Sequence, residues 1–343
     1  MEKILSIIIP TYNMEKYLRK CLDSLIVSDE NMENLEVLVI NDGSKDSSSQ
    51  IGHEYESKYP QTFRVIDKEN GNYGSCINRG LKEATGKYIK VLDADDYFDS
   101  DVFEKYISFL SSTDVDMILT DYNEVNEEGE ITKKHLMPYN DKEQLYINDY
   151  CTNKFFSELQ MHAVTYKRSL LIDNNYTQTT GVSYTDQEWM YLPITYMKTF
   201  CHFICFLYQY LVGRDGQTID PKVTSKQVDV RFRLIYKRIK IYSDLVEKGE
   251  TDKIKIQFLQ NRLLNSSYFM YKSTLIQDNI PMEMIRNFDE GLKKIDNNFY
   301  DEMSISELCK WKGYEFIGYW RKHKRLPFSV KLMKIFYKLK KRL

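Results

Sequence analysis

The first quarter of the chain alternates short apolar runs with helix-forming segments, and this alternation strongly limits the possible folds. The runs are rich in β-branched residues and end in proline or polar residues; they span 5–9, 35–40, 63–66 and 88–92. Segments with helical periodicity separate them, over 17–26, 47–59 and 76–84. This alternation of strand-forming and helix-forming segments predicts a parallel sheet with right-handed crossovers. Ligands of such sheets bind beyond the carboxyl ends of the strands.

The remainder of the chain changes character near residue 218. Before it, 114–120 and 203–212 have strand character, 161–173 has strand and then helix signals, and 123–134 predicts a hairpin or an exposed loop. After it, apolar residues recur at helical spacing among Lys and Arg over 228–246 and 253–273. We therefore predict two domains, an α/β domain over 1–217 and a helical domain over 218–343.

The bulk charge argues against several classes of protein. The chain has 343 residues and a formal net charge of -2, so it has no overall signature of nucleic-acid binding. Its six cysteines form no CxxC pair, which favours reduced thiols in a cytoplasmic protein. Since no stretch approaches about 18 consecutive apolar residues, we predict no transmembrane helix.

Two carboxylates follow the fourth apolar run directly. Asp93 and Asp95 stand at positions i and i+2 of the sequence DADD. Such a pair suits a hard divalent cation, because it supplies oxygen ligands and leaves positions for water and a diphosphate. The alternative is an acidic turn that leads into the next helix.

The residues after the first two runs are candidates for nucleoside binding. Tyr12 could stack on a base, while Thr11 and Asp42 could form hydrogen bonds with uracil or ribose. Ordinary turn chemistry is the alternative, since Asp and Asn are common in turns and at helix starts. The later sequence NGNYG places glycine at a helix N-terminus, which favours an anion, although the signal is weak alone.

Taken together, the motifs resemble the family 2 glycosyltransferases. The order and spacing of SIIIPTYN, NDGSKDSS, ENGNYGSCINRGLKEATGKYIKVLDADDYF and YTDQEW carry this resemblance over about residues 4–215. The segment NYGSCINRGL is similar to a subset of the family that makes bacterial cell-surface polysaccharides. The resemblance implies the GT-A fold of nucleotide-diphospho-sugar transferases, an α/β fold with a Rossmann-like mixed sheet, here with a helical C-terminal domain.

The resemblance also implies an inverting, metal-dependent reaction. Asp95 would bind Mn²⁺ or Mg²⁺ bridging the donor diphosphate, and Asp93 would face the ribose or the donor sugar. Asp186 would be the general base, with Glu188 in reserve. The expected substrates are a nucleotide sugar, with UDP the most frequent nucleotide in the family, and a glycan or lipid-linked glycan acceptor. The residues assigned to donor binding are Pro10, Thr11, Tyr12, Asp42, Asn70, Gly71, Asn78, Arg79, Asp93, Ala94, His162 and Arg214.

Several of these residues depart from the family pattern or would fit a structural role as well. Ile77 stands where the family often has a basic residue, and Arg79 would lie on a different face of the helix. His162 could touch the diphosphate or acceptor, and Arg214 could close over the phosphates from a Gly-flanked loop. Trp189 fits core packing better than stacking on an acceptor.

The C-terminal segment 321–343 has ten Lys or Arg and no Asp or Glu. Within it, 330–343 alternates apolar residues with Lys at near-helical spacing, a pattern typical of a helix on an anionic membrane surface. The alternative is a solvated helix docked on the C-terminal domain. We predict peripheral association with the inner face of the cell membrane, and we would look for a homodimer contact in the helical domain.

Other functions fit the sequence less well. A sugar nucleotidylyltransferase needs a Gly- and Arg-rich loop after the first strand, and a nicotinamide oxidoreductase needs GxGxxG there, whereas the chain has PTYNMEKY. A catalytically inactive carbohydrate-binding or scaffold subunit is the remaining alternative. The presence of Asp93, Asp95 and Asp186 argues against it.

Overall fold

The computed structural model describes residues 3–139, 144–152, 160–182, 185–214, 228–276 and 280–340. The chain divides into two compact units, Met1–Gln217 and Thr218–Leu343. The predicted boundary at residue 217 lies outside the described residues.

The first unit is built on one mixed sheet. Its strands are β1 (Leu5–Thr11), β2 (Leu35–Asn41), β3 (Phe63–Asp67), β4 (Tyr88–Val91), β5 (Tyr97–Phe98), β6 (Met117–Val125), β7 (Ile131–His135), β8 (Leu145–Tyr146), β9 (Val164–Lys167) and β10 (Thr199–Leu211). The main order is β3-β2-β1-β4-β9-β6-β10-β5, with β7 on β6 and β8 on β10. Strands β1 to β4 are parallel, as the alternation predicts.

The parallel arrangement predicted from the alternation holds for β1 to β4 and not beyond. Strand β9 runs antiparallel to both β4 and β6, and β10 pairs antiparallel with β5. The mixed sheet implied by the family resemblance describes the molecule better. Strands β6 and β7 form an antiparallel hairpin, which decides between the two alternatives for 123–134.

Helices pack around this sheet. Those of the first unit are α1 (Leu18–Asp23), α2 (Asp29–Asn34), α3 (Ser48–Lys58), α4 (Asn72–Glu83), α5 (Ser100–Ser112), α6 (Ile147–Thr152), α7 (Arg168–Asp173) and α8 (Asp186–Trp189). Helix α4 begins four residues earlier than predicted, at Asn72, which has a positive φ of 64°. Gly74 lets the chain at Thr179 approach this helix closely, because an added Cβ would lie 2.2 Å from the Thr179 carbonyl oxygen.

The second unit is helical. Its helices are α9 (Val228–Glu247), α10 (Lys253–Leu275), α11 (Met282–Ile295), α12 (Asn297–Ile305), α13 (Phe316–His323) and α14 (Phe328–Lys340). Leu263, Phe288 and Trp320 lie in its core. Among the described residues, none of the helices combines the length and apolar character that crossing a bilayer requires.

A buried ion pair ties helices α10 to α13 of this unit together. Arg321 Nε lies 2.7 Å from Asp289 Oδ1, and both side chains are less than a tenth exposed. The Arg321 guanidinium also donates to the Tyr300 carbonyl, the Ser304 hydroxyl and the Tyr271 hydroxyl. Burial of a charge is tolerated where pairing and hydrogen bonds satisfy it, and this network does so.

Candidate active site

Asp42 lies buried where β1 and β2 end side by side. Its amide donates to the Thr11 carbonyl at 2.8 Å, which continues the ladder of the two strands. Its Oδ1 accepts hydrogen bonds from Lys68 Nζ and, at 3.0 Å, from the Gly71 amide. The Asn70 side chain donates to the Asp42 carbonyl at 3.0 Å. The structure thus brings Asp42, Asn70 and Gly71 together, as a donor-binding role requires.

Lys68 is a residue that the sequence analysis missed. It follows β3, and its ammonium also donates to the Ser75 hydroxyl at 2.9 Å, at the start of α4. Arg79, by contrast, is exposed and pairs with Glu83 at 2.9 Å on its own helix. Lys68 therefore provides a cation beside Asp42, where Ile77 and Arg79 do not. The sequence could have indicated Lys68 as a candidate, because it directly follows a strand of the parallel sheet.

Thr11, the last residue of β1, and Tyr12, which follows it, differ in their exposure to solvent. Tyr12 is about half exposed, so its ring is available for stacking. Thr11 is buried, and its hydroxyl donates to the Ile9 carbonyl of its own strand at 3.1 Å. The half-buried Pro10 completes the strand beside Ile40. Of the two predicted nucleoside-binding residues, Tyr12 is therefore the exposed one, and the Thr11 hydroxyl is used within its own strand.

Asp93 is the centre of a group of acidic and aromatic side chains. Its Oδ1 accepts a hydrogen bond of 2.8 Å from the Tyr73 hydroxyl of α4. Burial, the charge of Asp95 and the charge of Asp186 raise the pKa of Asp93 to about 7, against the opposing effects of Tyr73 and Arg214. The charge of Asp186, the predicted base, is thus among the causes that raise the pKa of Asp93. Such strong perturbation is common at functional sites.

Asp96, which the sequence analysis did not single out, is the most deeply buried carboxylate of this loop. It accepts hydrogen bonds from the Tyr208 hydroxyl at 2.6 Å and from the Leu211 amide at 2.7 Å. Tyr208 also accepts a hydrogen bond from the Asp93 amide at 3.1 Å. Asp96 thereby fixes the loop against β10. Ala94, fully buried, contributes packing at this position.

Asp95 pairs with Arg214. The Arg214 Nε lies 2.5 Å from Asp95 Oδ2, and both side chains are largely buried. The guanidinium also lies 5.4 Å from the centre of the Tyr17 ring. Strand β10 ends at Leu211, three residues before Arg214, so the end of this strand positions Arg214 beside the loop that contains Asp95. The rest of the motif that contains Arg214, Asp215 to Gln217, lies outside the described residues.

His162 is buried and lies beside Asp93 and Asp96. Among the described residues, Asp93, Asp96 and His162 can each turn a ligand atom toward a common point, all within 4.8 Å of one another. The ring stacks on Tyr210 at 4.2 Å, and its buried Nδ1 has no hydrogen-bond partner among the residues that the structure describes. Burial lowers the pKa of His162 to about 3, so the ring is neutral near pH 7. A neutral imidazole is the form that binds a metal.

These residues fit a divalent cation. Three aspartates crowd one short loop, and Arg214 balances only part of their charge. The unpartnered, neutral His162 nitrogen adds a further possible ligand atom. One oxygen of Asp93 accepts from Tyr73 and one oxygen of Asp95 pairs with Arg214, while both oxygens of Asp96 accept hydrogen bonds from the protein. Oxygen-rich sites of this kind suit Mg²⁺ and Mn²⁺.

Asp186 and Glu188 have different surroundings, although both belong to the same short helix. Glu188 is fully buried and accepts hydrogen bonds from the amide and hydroxyl of Thr179, at 2.7 and 2.9 Å. Asp186 is half-buried, and its Oδ2 accepts a hydrogen bond of 3.2 Å from the Gln187 side chain. Glu188 therefore holds the segment in place, and Asp186 is the better placed to meet a substrate. Tyr184 of this motif lies outside the described residues.

Asn78 supports the same segment. Its side chain donates to the Gln178 carbonyl and accepts from the Gln178 amide, both at 2.8 Å. Because both polar groups of Asn78 are used by the backbone next to Thr179, the structure does not bring Asn78 to the acidic group. Trp189 is buried between Tyr166 and Tyr176, which agrees with a role in core packing.

Comparisons with known proteins identify the family and the fold. The family model described as glycosyl transferase family 2 matches residues 6–173. An uncharacterized glycosyltransferase of Mycoplasma genitalium is 42% identical over 118 residues, which is 34% of this chain and 38% of the relative. Glycosyltransferase GlyA of Streptococcus pneumoniae is 33% identical over 144 residues, 42% of this chain and 20% of the relative.

One relative aligns with nearly the whole chain. Poly(ribitol-phosphate) beta-glucosyltransferase of Bacillus spizizenii is 27% identical over 372 aligned positions, which cover 98% of this chain and 56% of the relative. The chain thus spans less than two thirds of the length of each of these relatives. Among solved structures, S. aureus TarS 1–349 in complex with UDP-GlcNAc matches with a TM-score of 0.64 and 17% identity, covering 94% of this chain and 92% of that one. The predicted GT-A fold with a helical C-terminal region is confirmed.

Proposed function

Because residues 6–173 form a glycosyl transferase family 2 domain, we propose that this chain transfers a sugar from a nucleotide diphosphate to an acceptor hydroxyl and inverts the anomeric centre. The observation that carries the proposal is the pair Asp93 and Asp95 directly after β4, where the Tyr73 hydroxyl donates to Asp93 and Arg214 pairs with Asp95. The charge of Asp186 also raises the pKa of Asp93.

The nucleoside end of the donor would bind at β1 and β2. Tyr12 offers an exposed ring for stacking, and Asp42 a carboxylate held by the Gly71 amide and Lys68. The Lys68 ammonium and the N-terminus of α4 supply positive charge for phosphate oxygens. The donor would compete with Asp42 and Ser75 for Lys68, since these are its partners in the structure.

A divalent cation would be held by Asp95 and Asp93, with His162 beside them. When bound, Mn²⁺ or Mg²⁺ supplies neutralising charge to a leaving diphosphate. Asp96 would keep this loop in place through Tyr208 and Leu211. Arg214, on leaving Asp95, would pair with a phosphate, a bidentate contact for which guanidinium is well suited.

Asp186 would be the general base. The acceptor oxygen forms a bond to the anomeric carbon while the bond from that carbon to the diphosphate oxygen breaks, and the hydroxyl proton passes to Asp186. A base positioned in this way contributes on the order of 10²- to 10⁴-fold to the rate. Thr179 and Glu188 orient the helix that carries it.

The names of two relatives support a class of substrates. One is the poly(ribitol-phosphate) beta-glucosyltransferase, and the other is the minor teichoic acid biosynthesis protein GgaB of Bacillus subtilis, 40% identical over 104 residues. We therefore propose an acceptor hydroxyl on a bacterial cell-surface glycan or its lipid-linked precursor. UDP is the nucleotide we propose first, since the TarS structure was determined with UDP-GlcNAc. The reaction would take place on the cytoplasmic side, and a dimer, if formed, would use the helical unit.

The test is a panel of UDP-, GDP- and TDP-sugars. Binding is measured by calorimetry with and without Mn²⁺, and slow donor hydrolysis is followed with and without EDTA. We expect one donor class to bind in a metal-dependent way and to be hydrolysed. Asp95→Ala should abolish the metal dependence, with Asp101→Ala, an exposed residue of α5, as the control. Carbohydrate binding without any nucleotide binding would instead favour the inactive scaffold subunit.

A further inference from the structure

Helix α14 displays an apolar face that nothing in the described chain covers. Phe328 is 76% exposed, Phe336 69%, Ile335 55% and Leu332 42%. Large exposed apolar patches on soluble proteins mark surfaces that meet a partner or a membrane.

The four exposed residues lie on one side of the helix. Positions 328, 332, 335 and 336 follow the spacing i, i+4, i+7, i+8, which on a helix of 3.6 residues per turn covers an arc of roughly 100°. Val330 points to the opposite side and is fully buried. The Lys334 ammonium donates to the Leu275 carbonyl at the end of α10, at 3.0 Å. The helix is therefore docked through one side, and its apolar side is turned outward.

The segment that contains this face is rich in positive charge. Residues 321–343 contain ten Lys or Arg and no acidic residue. Among those described, Lys322, Lys324, Arg325 and Lys331 are exposed. Lys331 lies next to the apolar arc on the helix, within about 60° of Phe328 at 100° per residue. An exposed apolar arc bordered by exposed cations is the arrangement that an interfacial helix requires.

Three occupants could be considered for this surface, and the charge decides among them. A nucleic acid would pair with the cations but leave Phe328 and Phe336 in water. A second copy of the same face would oppose two clusters of like charge, which is unfavourable when they come within a Debye length of about 8 Å. An anionic bilayer meets both requirements, since its headgroups attract Lys and Arg and its acyl region accepts aromatic and aliphatic side chains.

We propose that α14 binds the surface of anionic phospholipid bilayers, with Phe328, Leu332, Ile335 and Phe336 inserted below the headgroups. The helix lies in the plane of the interface and does not cross it. This binding does not depend on the reaction proposed above. It would bring the chain to the membrane in which a lipid-linked acceptor is anchored.

The experiment uses the full chain and vesicles of stated composition. Flotation is compared between vesicles of pure phosphatidylcholine and vesicles with about one third phosphatidylglycerol, at low and at high salt. The apolar variant is the triple substitution F328Q, I335Q and F336Q, and the charge variant is K322Q, K324Q, R325Q and K331Q. Ile305→Gln is the matched control, because Ile305 is 64% exposed in the same unit but lies outside α14.

We expect the wild type and Ile305→Gln to bind anionic vesicles and not neutral ones, with binding weakened by salt. Both multiple variants should lose at least about tenfold in partition coefficient, which corresponds to 1.4 kcal/mol. Circular dichroism verifies that they remain folded. In a separate variant, Phe336→Trp, fluorescence should shift to the blue on anionic vesicles and be quenched by brominated acyl chains.

Three results would overturn the proposal. The first is that the wild type fails to bind anionic vesicles, and the second is that the apolar variant binds them as well as the wild type does. The third is that light scattering shows a dimer of the wild type and a monomer of the apolar variant. Donor binding and hydrolysis without vesicles should be unchanged in the apolar variant. A failure of membrane binding is therefore distinguishable from a failure of the proposed transferase activity.

Discussion

The Arg214 guanidinium and the Asp95 carboxylate form an ion pair of 2.5 Å between the loop after β4 and the end of β10. Asp95 is also the carboxylate that we propose binds the metal. A cation and Arg214 therefore compete for the same oxygen atoms, so metal binding should release Arg214 toward the donor. This exchange would couple the two binding events.

Replacing Arg214 by Gln should make the site bind Mn²⁺ alone more tightly, since the competing cation is gone. We expect a gain of about threefold to tenfold in the binding constant, roughly 1 kcal/mol. Donor affinity in the presence of metal should fall, because the phosphate contact is lost. Calorimetry or electron paramagnetic resonance of Mn²⁺ measures the first effect. Arg79→Gln is the control, as Arg79 is exposed on α4; weaker Mn²⁺ binding in Arg214→Gln would contradict the exchange.

Asp186→Asn should leave donor affinity nearly intact and lower the rate of transfer by on the order of 10²-fold or more, the contribution expected of a general base. Glu188→Gln tests the reserve candidate and should act differently. Glu188→Gln weakens the two hydrogen bonds from Thr179, so we expect a lower melting temperature. The rate of transfer should fall less than in Asp186→Asn. Binding, turnover and thermal unfolding are measured for both variants. Wild-type turnover in Asp186→Asn would exclude Asp186 as the base.

The raised pKa of Asp93 makes the stability of the metal-free protein depend on pH. The folded state holds a proton on Asp93 up to about pH 7, whereas the unfolded chain loses it near the ordinary value of 3.8. The folded state thus binds more protons between these values, and stability falls as pH rises from about 4 to 7. Asp93→Asn removes this dependence.

The measurement is thermal unfolding in EDTA at pH 5 and pH 8. The melting temperature of Asp93→Asn minus that of the wild type should be larger at pH 8 than at pH 5. Adding Mn²⁺ at pH 8 should stabilise the wild type and not the variant, because a metal prefers the ionised carboxylate. An equal difference at both pH values would show that Asp93 does not titrate in this range.

Lys68→Met should weaken donor binding, since it removes the cation beside Asp42. We expect a loss of about tenfold or more, typical of a charge-assisted contact of roughly 1.5–3 kcal/mol. Mn²⁺ binding without donor should not change. Lys45→Met, on the neighbouring loop, serves as the control. Unchanged affinity for UDP in Lys68→Met would remove Lys68 from the proposed site.

Arg321→Met should destabilise the helical unit, because it leaves Asp289 buried without its partner. Breaking such a buried pair costs about 3–5 kcal/mol. Chemical denaturation followed by tryptophan fluorescence, to which Trp311 and Trp320 of this unit contribute, measures the loss. Adding Asp289→Asn to the same protein should recover part of it, and Lys322→Met, on the exposed side of α13, should have little effect.

Local patterns in the sequence determined the elements of the first unit. The runs that become β1 to β4 are apolar and β-branched, and the polar residues after them necessarily meet at one edge of a parallel sheet. This is why the sequence alone predicts that Asp42, Asp93 and Asp95 lie at one edge of the sheet. The same periodicity indicated the long helices α9 and α10.

The tertiary structure alone decided which partner each residue has. Asp186 and Glu188 are both acidic residues of one short motif. The structure distinguishes them, because the amide and hydroxyl of Thr179 donate hydrogen bonds to Glu188. Lys68, Tyr73 and Asp96 enter the site through contacts with residues far away in the chain. The reversal of β9 likewise depends on its pairing with β4 and β6. Periodicity records the burial of a side chain, which is a local property, whereas a partner is fixed only when distant segments pack and exclude water.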